Sequence, residues 1–183
     1  MIPIMDTFSI LFLAAVLILA AINDIWVQKI PNMLTYPAII AAFTYHALNS
    51  GFEGLLFSAA GLGCGVAILF LPYLMGGMGA GDAKLMGAVG AVLGPKEVFI
   101  AFLFTAIVGG IYGLTLLLAK PEYSKGWIKR WDTMLRTFVL IRRFIYIPPV
   151  ESRKKPKLYY GLAIAVGTIG SILWRLSGHE FPI

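Results

Sequence analysis

The stretch Gly76–Asp82 reads GGMGAGD: its first six residues end the uncharged run Gly54–Gly81, and Asp82 lies between this run and the next one, Leu85–Pro95. It places a carboxylate within apolar sequence, and Asp24 does the same at the end of the uncharged run Thr7–Asn23. A carboxylate at membrane depth costs about 2.5–3.5 kcal/mol on insertion scales, so it is usually retained for a function. Two such groups in different environments can divide acid–base work, one activating water while the other donates a proton. The pair therefore indicates hydrolysis within a membrane.

The composition is that of a membrane protein. Of the 183 residues 59% are hydrophobic and 13% charged, and the mean hydropathy is +0.84. Several membrane spans require this much apolar surface, whereas a soluble domain does not. The single cysteine, Cys64, excludes a disulfide framework and a cysteine-rich zinc site. We expect an all-α membrane protein with no metal and no cofactor.

Six uncharged runs are candidate membrane-spanning helices. They are Thr7–Asn23, Ile30–Phe52, Gly54–Gly81, Leu85–Pro95, Val98–Ala119 and Leu158–Trp174. About 20 apolar residues cross a bilayer core, and five of the runs are long enough. The fourth run rises only about 16 Å as a helix. It crosses only if Gly81, Asp82 and Lys84 also lie below the headgroups. Its shortness therefore predicts that Asp82 lies within the membrane. With this fourth crossing, we expect a six-helix bundle.

The basic residues predict the orientation. With six crossings, Lys29, Lys84 and the loop 120–157 fall on one side, which holds 13 of the 15 Lys and Arg residues. The positive-inside rule makes that side cytoplasmic. We expect a single membrane-embedded domain over residues 1–183 of the inner membrane, with both termini outside and both aspartates near the cytoplasmic face. The net charge of +6 comes mainly from one loop, which favours anionic lipid over nucleic acid as a partner.

The segment Trp127–Ile147 within that loop has a different pattern. Aromatic and aliphatic residues recur there at helical spacing opposite several basic residues. This predicts a basic amphipathic helix lying in the membrane interface. It serves either as a topology anchor or as a platform that guides a membrane-bound substrate.

Glycines are expected to matter in two ways. Gly79 and Gly81 tolerate φ > 0, so they permit a tight bend that holds Asp82 at the head of a helix and leaves room for a substrate backbone. The alternative is a flexible loop with an incidental aspartate. Elsewhere, pairs spaced four residues apart predict close helix packing in lipid: Gly61 with Gly65, Gly90 with Gly94, and Gly109 with Gly113.

Other polar residues allow more than one interpretation. Lys84 either tunes the charge of Asp82, binds substrate, or extends toward the cytoplasm as an ordinary basic residue. Asn32 is expected to cap the N-terminus of the second helix. His46 and His179 fall on the side opposite the aspartates, so neither is expected to be a ligand or a base.

Three segments together resemble the type IV prepilin peptidase family. Gly79–Asp82 matches the GxGD signature of intramembrane aspartyl proteases, and Ala83–Gly90 looks like the continuation found in this family. Asp24–Thr35 is similar to its other catalytic segment, in which an Asp is followed by Ile-Pro-Asn-x-Leu-Thr. Tyr160–Gly167 resembles the Tyr-Gly-x-Ala-Ile run that opens the last helix.

The resemblance implies cleavage of the short basic leader of membrane-bound prepilins and pseudopilins, with Asp24 and Asp82 as the catalytic pair and Gly79, Gly81 and Lys84 in the motif that meets substrate. Larger members carry a cytoplasmic methyltransferase region whose paired cysteines bind zinc. This sequence has no room for that region, so it resembles the short form associated with tight-adherence (Flp) pili or the archaeal preflagellin peptidases, and we expect no N-methylation.

A non-enzymatic membrane protein is the alternative. The aspartates would then bind a cation or relay protons in a transporter subunit. Such a protein would need them for ion flux, and transporters often contain an internal repeat, which is not evident in this sequence. Cleavage of a prepilin-like peptide distinguishes the two classes.

Overall fold

A computed structural model describes residues 6–74, 77–119, 136 and 159–178. Every regular element in this part of the chain is a helix, which confirms the all-α class. The helices are α1 (Thr7–Val27), α2 (Asn32–Leu74), α3 (Ala80–Leu93), α4 (Pro95–Ala119) and α5 (Tyr160–Leu176). The predicted interfacial helix and the basic loop 120–157 lie outside the described residues, apart from Arg136, which is helical.

Helix α2 consists of two helical halves that meet at Gly51. This residue has φ 59° and ψ −135°, a non-helical conformation that glycine adopts without a Cβ clash. The two halves correspond to the second and third uncharged runs of the sequence. They run in opposite directions beside α3. In the first half, Asn32 contacts Lys84 and His46 contacts Val92, in the same order along the chain. In the second half, Gly61 approaches Gly90 and Gly65 approaches Met86, in reverse order.

Helix α3 is the centre of this arrangement. All residues from Leu85 to Leu93 are buried, as expected of a helix that is apolar on every side. Close packing against α2 requires small residues. A Cβ on Gly61 would lie 1.9 Å from the Gly90 carbonyl oxygen, and one on Gly65 would lie 2.3 Å from that of Met86. The predicted close approach at Gly61, Gly65 and Gly90 is confirmed.

Side chains from both halves of α2 satisfy the C-terminal carbonyls of α3, which lack partners within the helix. Ser58 Oγ donates to the Ala91 oxygen at 2.8 Å, and His46 Nε2 lies 3.0 Å from the Val92 oxygen. Gly94, with φ 83°, then ends the helix, and Pro95 begins α4. His46 thus has a structural partner at the end of α3 remote from Asp82.

The chain divides into two compact units, Met1–Gly109 with Tyr159–Ile183, and Gly110–Leu158. In the first unit, α4 and α5 are antiparallel. Arg175 and Glu97 form a 2.8 Å ion pair at one end, while Gly109 lies opposite Ala163 toward the other. In the second unit the structure describes residues 110–119, which complete α4, and Arg136. Outside the backbone of its own helix, no atom of the described residues lies within 4 Å of a Cβ placed on Gly113, and the packing role of the Gly109–Gly113 pair stays a prediction.

Three of the described helices are long and apolar enough to cross a membrane: α1, α2 and the Pro95–Leu116 part of α4. Helix α5 is apolar but shorter, with 17 residues. Helix α3 has 14 residues, which rise about 21 Å. The described helices therefore fit a membrane protein, and the count of six crossings stays a prediction.

Candidate active site

Asp24 lies in the last turn of α1 and is buried. Its carboxylate faces the start of α5: the main-chain N–H of Leu162 donates to Oδ2 at 3.3 Å. The neighbouring Gly161 is so close that a Cβ there would lie 3.0 Å from both the Cβ and Oδ2 of Asp24. About one helical turn after Asp24, Gln28 adopts a left-handed conformation with φ 54° and ends the helix. Asp24 is thus held between two helix ends.

Asp82 is the third residue of α3 and is also buried. Its Oδ2 accepts a hydrogen bond from the main-chain N–H of Gly79 at 2.9 Å. The Asp82 N–H in turn donates to the Gly79 oxygen at 3.1 Å. A carboxylate at this position stabilises the N-terminus of a helix by pairing with unsatisfied N–H groups and the helix dipole. The expected position of Asp82 at the head of a helix is confirmed.

The two carboxylates lie at the same end of the first unit, close enough for their charges to interact. The start of α5 is near both, because Leu162 contacts Asp24 and Tyr160 interacts electrostatically with Asp82. Three helices, α1, α3 and α5, therefore converge on one pair of acidic groups that the sequence separates by 58 positions. Such an arrangement can hold a water molecule between a proton acceptor and a proton donor.

The GGMGAGD stretch departs from one expectation. Gly79 has φ −82°, and Gly81 lies within α3 and is absent from the positive-φ residues of the described chain. The predicted need for φ > 0 at these glycines is therefore wrong. The lack of space for a side chain restricts both positions instead. A Cβ on Gly81 would lie 3.1 Å from the Ile30 Cβ, and one on Gly79 would lie 3.3 Å from Asp82 Oδ2.

Lys84 connects the start of α3 to the start of α2. Its Nζ donates to Asn32 Oδ1 at 2.9 Å and lies 5.1 Å from the centre of the Tyr36 ring. Asn32 is the first residue of α2 rather than its cap, and the oxygen of Pro31 accepts the N–H groups of Leu34 and Thr35. The expected capping role of Asn32 is thus wrong, because its side chain is engaged by Lys84.

Within the described ranges no group of three or more His, Cys, Asp or Glu residues is arranged to hold a metal ion. The groups available at the site are the carboxylates of Asp24 and Asp82, the Tyr160 phenol and main-chain N–H groups. These groups can bind water and exchange protons with it.

A family comparison covers both acidic residues. The model of the type IV leader peptidase family matches residues 11–114, more than half of the chain. The chain belongs to the type IV leader peptidase family. The match includes Asp24, the GGMGAGD stretch and Lys84, and it ends before α5.

Curated relatives of this leader peptidase family member are named prepilin leader peptidase/N-methyltransferase. One from Bacillus subtilis is 35% identical over 121 residues, covering 62% of this chain and 46% of the relative. One from Aeromonas salmonicida is 32% identical over 129 residues, covering 67% and 44%, and one from Neisseria gonorrhoeae is 31% identical over 133 residues, covering 64% and 46%. The matches thus span less than half the length of these relatives. No solved structure matches the chain.

Sequence reasoning missed the residues that surround the two carboxylates. Leu162 acts through a main-chain N–H, which has no side-chain signature. Ile30 closes the space beside Gly81, and Tyr36 provides the ring beneath Lys84. The signal that pointed toward α5 was the Tyr160–Gly167 run, through its resemblance to the Tyr-Gly-x-Ala-Ile run of the family.

Proposed function

We propose that this protein is an intramembrane aspartyl endopeptidase that removes the short basic leader of prepilin-like proteins at the cytoplasmic face of the membrane. The observation that carries the proposal is the convergence of two buried carboxylates, Asp24 and Asp82, from different helices. Family membership supports a peptidase, and the names of the curated relatives support prepilins as the substrate class.

The proposed reaction uses the two carboxyl groups in complementary protonation states. One carboxylate accepts a proton from water, and the resulting hydroxide attacks the carbonyl carbon of the scissile peptide bond. The other carboxyl group donates its proton to the departing nitrogen as the C–N bond breaks. Like charges at close range do not both ionise easily, which favours the singly protonated pair that this cycle requires. The pair then titrates as a unit.

The membrane setting supplies both the substrate and its orientation. We infer six crossings, with the two halves of α2 counted separately, because each half has about the 20 residues that cross a bilayer core. The start of α3 then lies at the same membrane face as Lys29. The concentration of basic residues on this side supports a cytoplasmic location, and anionic lipid headgroups would attract the basic loop 120–157.

Lys84 has a positioning role in this account. Because its ammonium group is bound to Asn32 and lies over Tyr36, it fixes the start of α3 against the start of α2. Asp82 lies two residues earlier in the same helical turn. The contact therefore restrains the carboxylate through the backbone, and this explains Lys84 without requiring it to bind substrate.

The direct test is incubation of the purified protein in detergent or liposomes with a membrane-anchored prepilin-like protein bearing a short basic leader. We expect one new N-terminus, located by mass spectrometry at the end of the leader. A control substrate whose basic leader residues are replaced by glutamate should be cleaved poorly. Absence of cleavage together with aspartate-dependent proton or cation flux in the same liposomes would contradict the proposal and favour a transporter.

A further inference from the structure

The start of α5 lies outside the segment matched by the family model, yet it makes the contacts that fix Asp24. The Leu162 N–H donates to Asp24 Oδ2 at 3.3 Å. This N–H belongs to the first turn of α5, where backbone donors have no partner within the helix. An aspartate that accepts such a bond completes the helix end and is restrained by it.

This contact depends on Gly161. The residue is buried, and an added Cβ would lie 3.0 Å from Asp24 Cβ, 3.0 Å from Oδ2 and 3.1 Å from Cγ. All three atoms belong to one short side chain on a buried helix face, so either this side chain or the turn that carries residue 161 must shift. A methyl group at residue 161 would therefore displace the acidic group from its N–H donor.

The same helical turn is also near the second carboxylate. Tyr160 precedes Gly161, is half-buried, and interacts electrostatically with Asp82. A shift of this turn would alter the surroundings of both acidic groups, although they lie on different helices. The first turn of α5 thus lies near both carboxylates.

We propose that Gly161 is a positioning residue of the active site, which allows the first turn of α5 to approach Asp24 and orient its carboxylate toward Asp82. The inference rests on the proposed function and names a third helix as part of the site. Gly161 has no side chain that could take part in the reaction. Its contribution is the close approach that a side chain would prevent.

Gly161→Ala is the test, and Gly170→Ala is its matched control on the same helix. A Cβ at residue 170 would meet only the Phe104 ring at 3.4 Å, an ordinary contact. We expect Gly161→Ala to lower kcat several-fold, because the new contacts require a shift of the Asp24 side chain and misplacement of a reacting group by about 1 Å can cost about 100-fold. KM and the thermal unfolding midpoint should stay at their wild-type values, and Gly170→Ala should match wild type throughout.

A second readout does not need activity. Carbodiimide coupling of an amine to exposed carboxyl groups, followed by peptide mass spectrometry, reports how accessible Asp24 and Asp82 are. We expect Gly161→Ala to raise labelling of Asp24 several-fold while Gly170→Ala leaves it unchanged. Wild-type labelling of Asp24 in Gly161→Ala, or a wild-type kcat, would overturn the inference. If the wild-type protein cleaves no prepilin-like substrate, the proposed function fails, and the labelling alone decides the role of Gly161.

Discussion

Lys84 and Asn32 join the start of α3 to the start of α2 through a 2.9 Å hydrogen bond from Nζ to Oδ1. The two residues are 52 positions apart in the sequence, and the Tyr36 ring lies beneath the ammonium group. The contact is two residues from Asp82. It therefore restrains the backbone that holds one of the two proposed catalytic carboxylates.

We expect Lys84→Met to lower kcat several-fold with little change in KM, because Asp82 loses a restraint rather than a substrate contact. Lys96→Met, at an exposed lysine in the first turn of α4, is the control and should be neutral. Asn32→Ala should reproduce the Lys84→Met effect, and the double variant should be no worse than either single one, since neighbours in one interaction are not additive. Additive losses would show that Lys84 acts elsewhere, for example on substrate.

Gly81→Ala tests the space beside Asp82. Because the new Cβ would lie 3.1 Å from the Ile30 Cβ and 3.4 Å from its carbonyl oxygen, the first turn of α3 must shift. We expect a strong loss of turnover in the cleavage assay at normal expression. Gly77→Ala is the control, since its Cβ would meet only the Pro72 oxygen at 3.4 Å. Equal, near-wild-type rates for both variants would leave the motif glycines without a catalytic role.

Gly90→Ala should destabilise the fold rather than the chemistry. Its Cβ would lie 2.0 Å from the Gly61 carbonyl oxygen. This is a backbone atom, which cannot move away by a change of rotamer. Overpacking typically costs about 1–3 kcal/mol, and a clash with backbone lies at the upper end. The thermal unfolding midpoint in detergent should fall clearly. Gly63→Ala, with open space around residue 63, should leave the midpoint unchanged, and a similar result for Gly90→Ala would contradict the packing of α2 against α3.

Topology can be measured independently of activity. In a Cys64→Ser background, single cysteines at Gln28 and Ser124 should react with a membrane-impermeant reagent only from the cytoplasmic side. Cysteines at Ser50 and Ser177 should react only from outside. Labelling of Ser50 and Ser124 from the same side would mean that α3 does not cross, and the six-crossing arrangement would be wrong.

The sequence predicted the helical segments well because charged residues interrupt the apolar runs close to where the helices end. The sequence predicted a break between the second and third runs at Glu53. The structure places the break at Gly51, because it depends on a backbone conformation that the composition does not reveal. The placement of Asp82 at the head of α3 followed from the glycines before it. The reason for glycine at residue 81 was predicted wrongly. The sequence suggested a need for φ > 0, whereas the structure shows that a side chain there would crowd Ile30, which is far away in the sequence.

The surroundings of Asp24 were the least predictable part of the site. Its partner, the Leu162 N–H, is 138 residues away and carries no side-chain signal. The role of Lys84 was left among three possibilities for a similar reason. Which acceptor a long, flexible side chain reaches is decided by helix packing, and its two partners, Asn32 and Tyr36, lie one turn apart on α2.

The central claim is that Asp24 and Asp82 act together as the catalytic pair, and the most direct measurement is the cleavage rate of one prepilin-like substrate by Asp24→Asn, Asp82→Asn and the double variant. Asparagine keeps the shape of each side chain but can neither take up nor give a proton at neutral pH. Because groups that act as a unit are not additive, both single variants should lose cleavage entirely while remaining folded and inserted, and the double variant should be no worse. Substantial cleavage by either single variant would contradict the account.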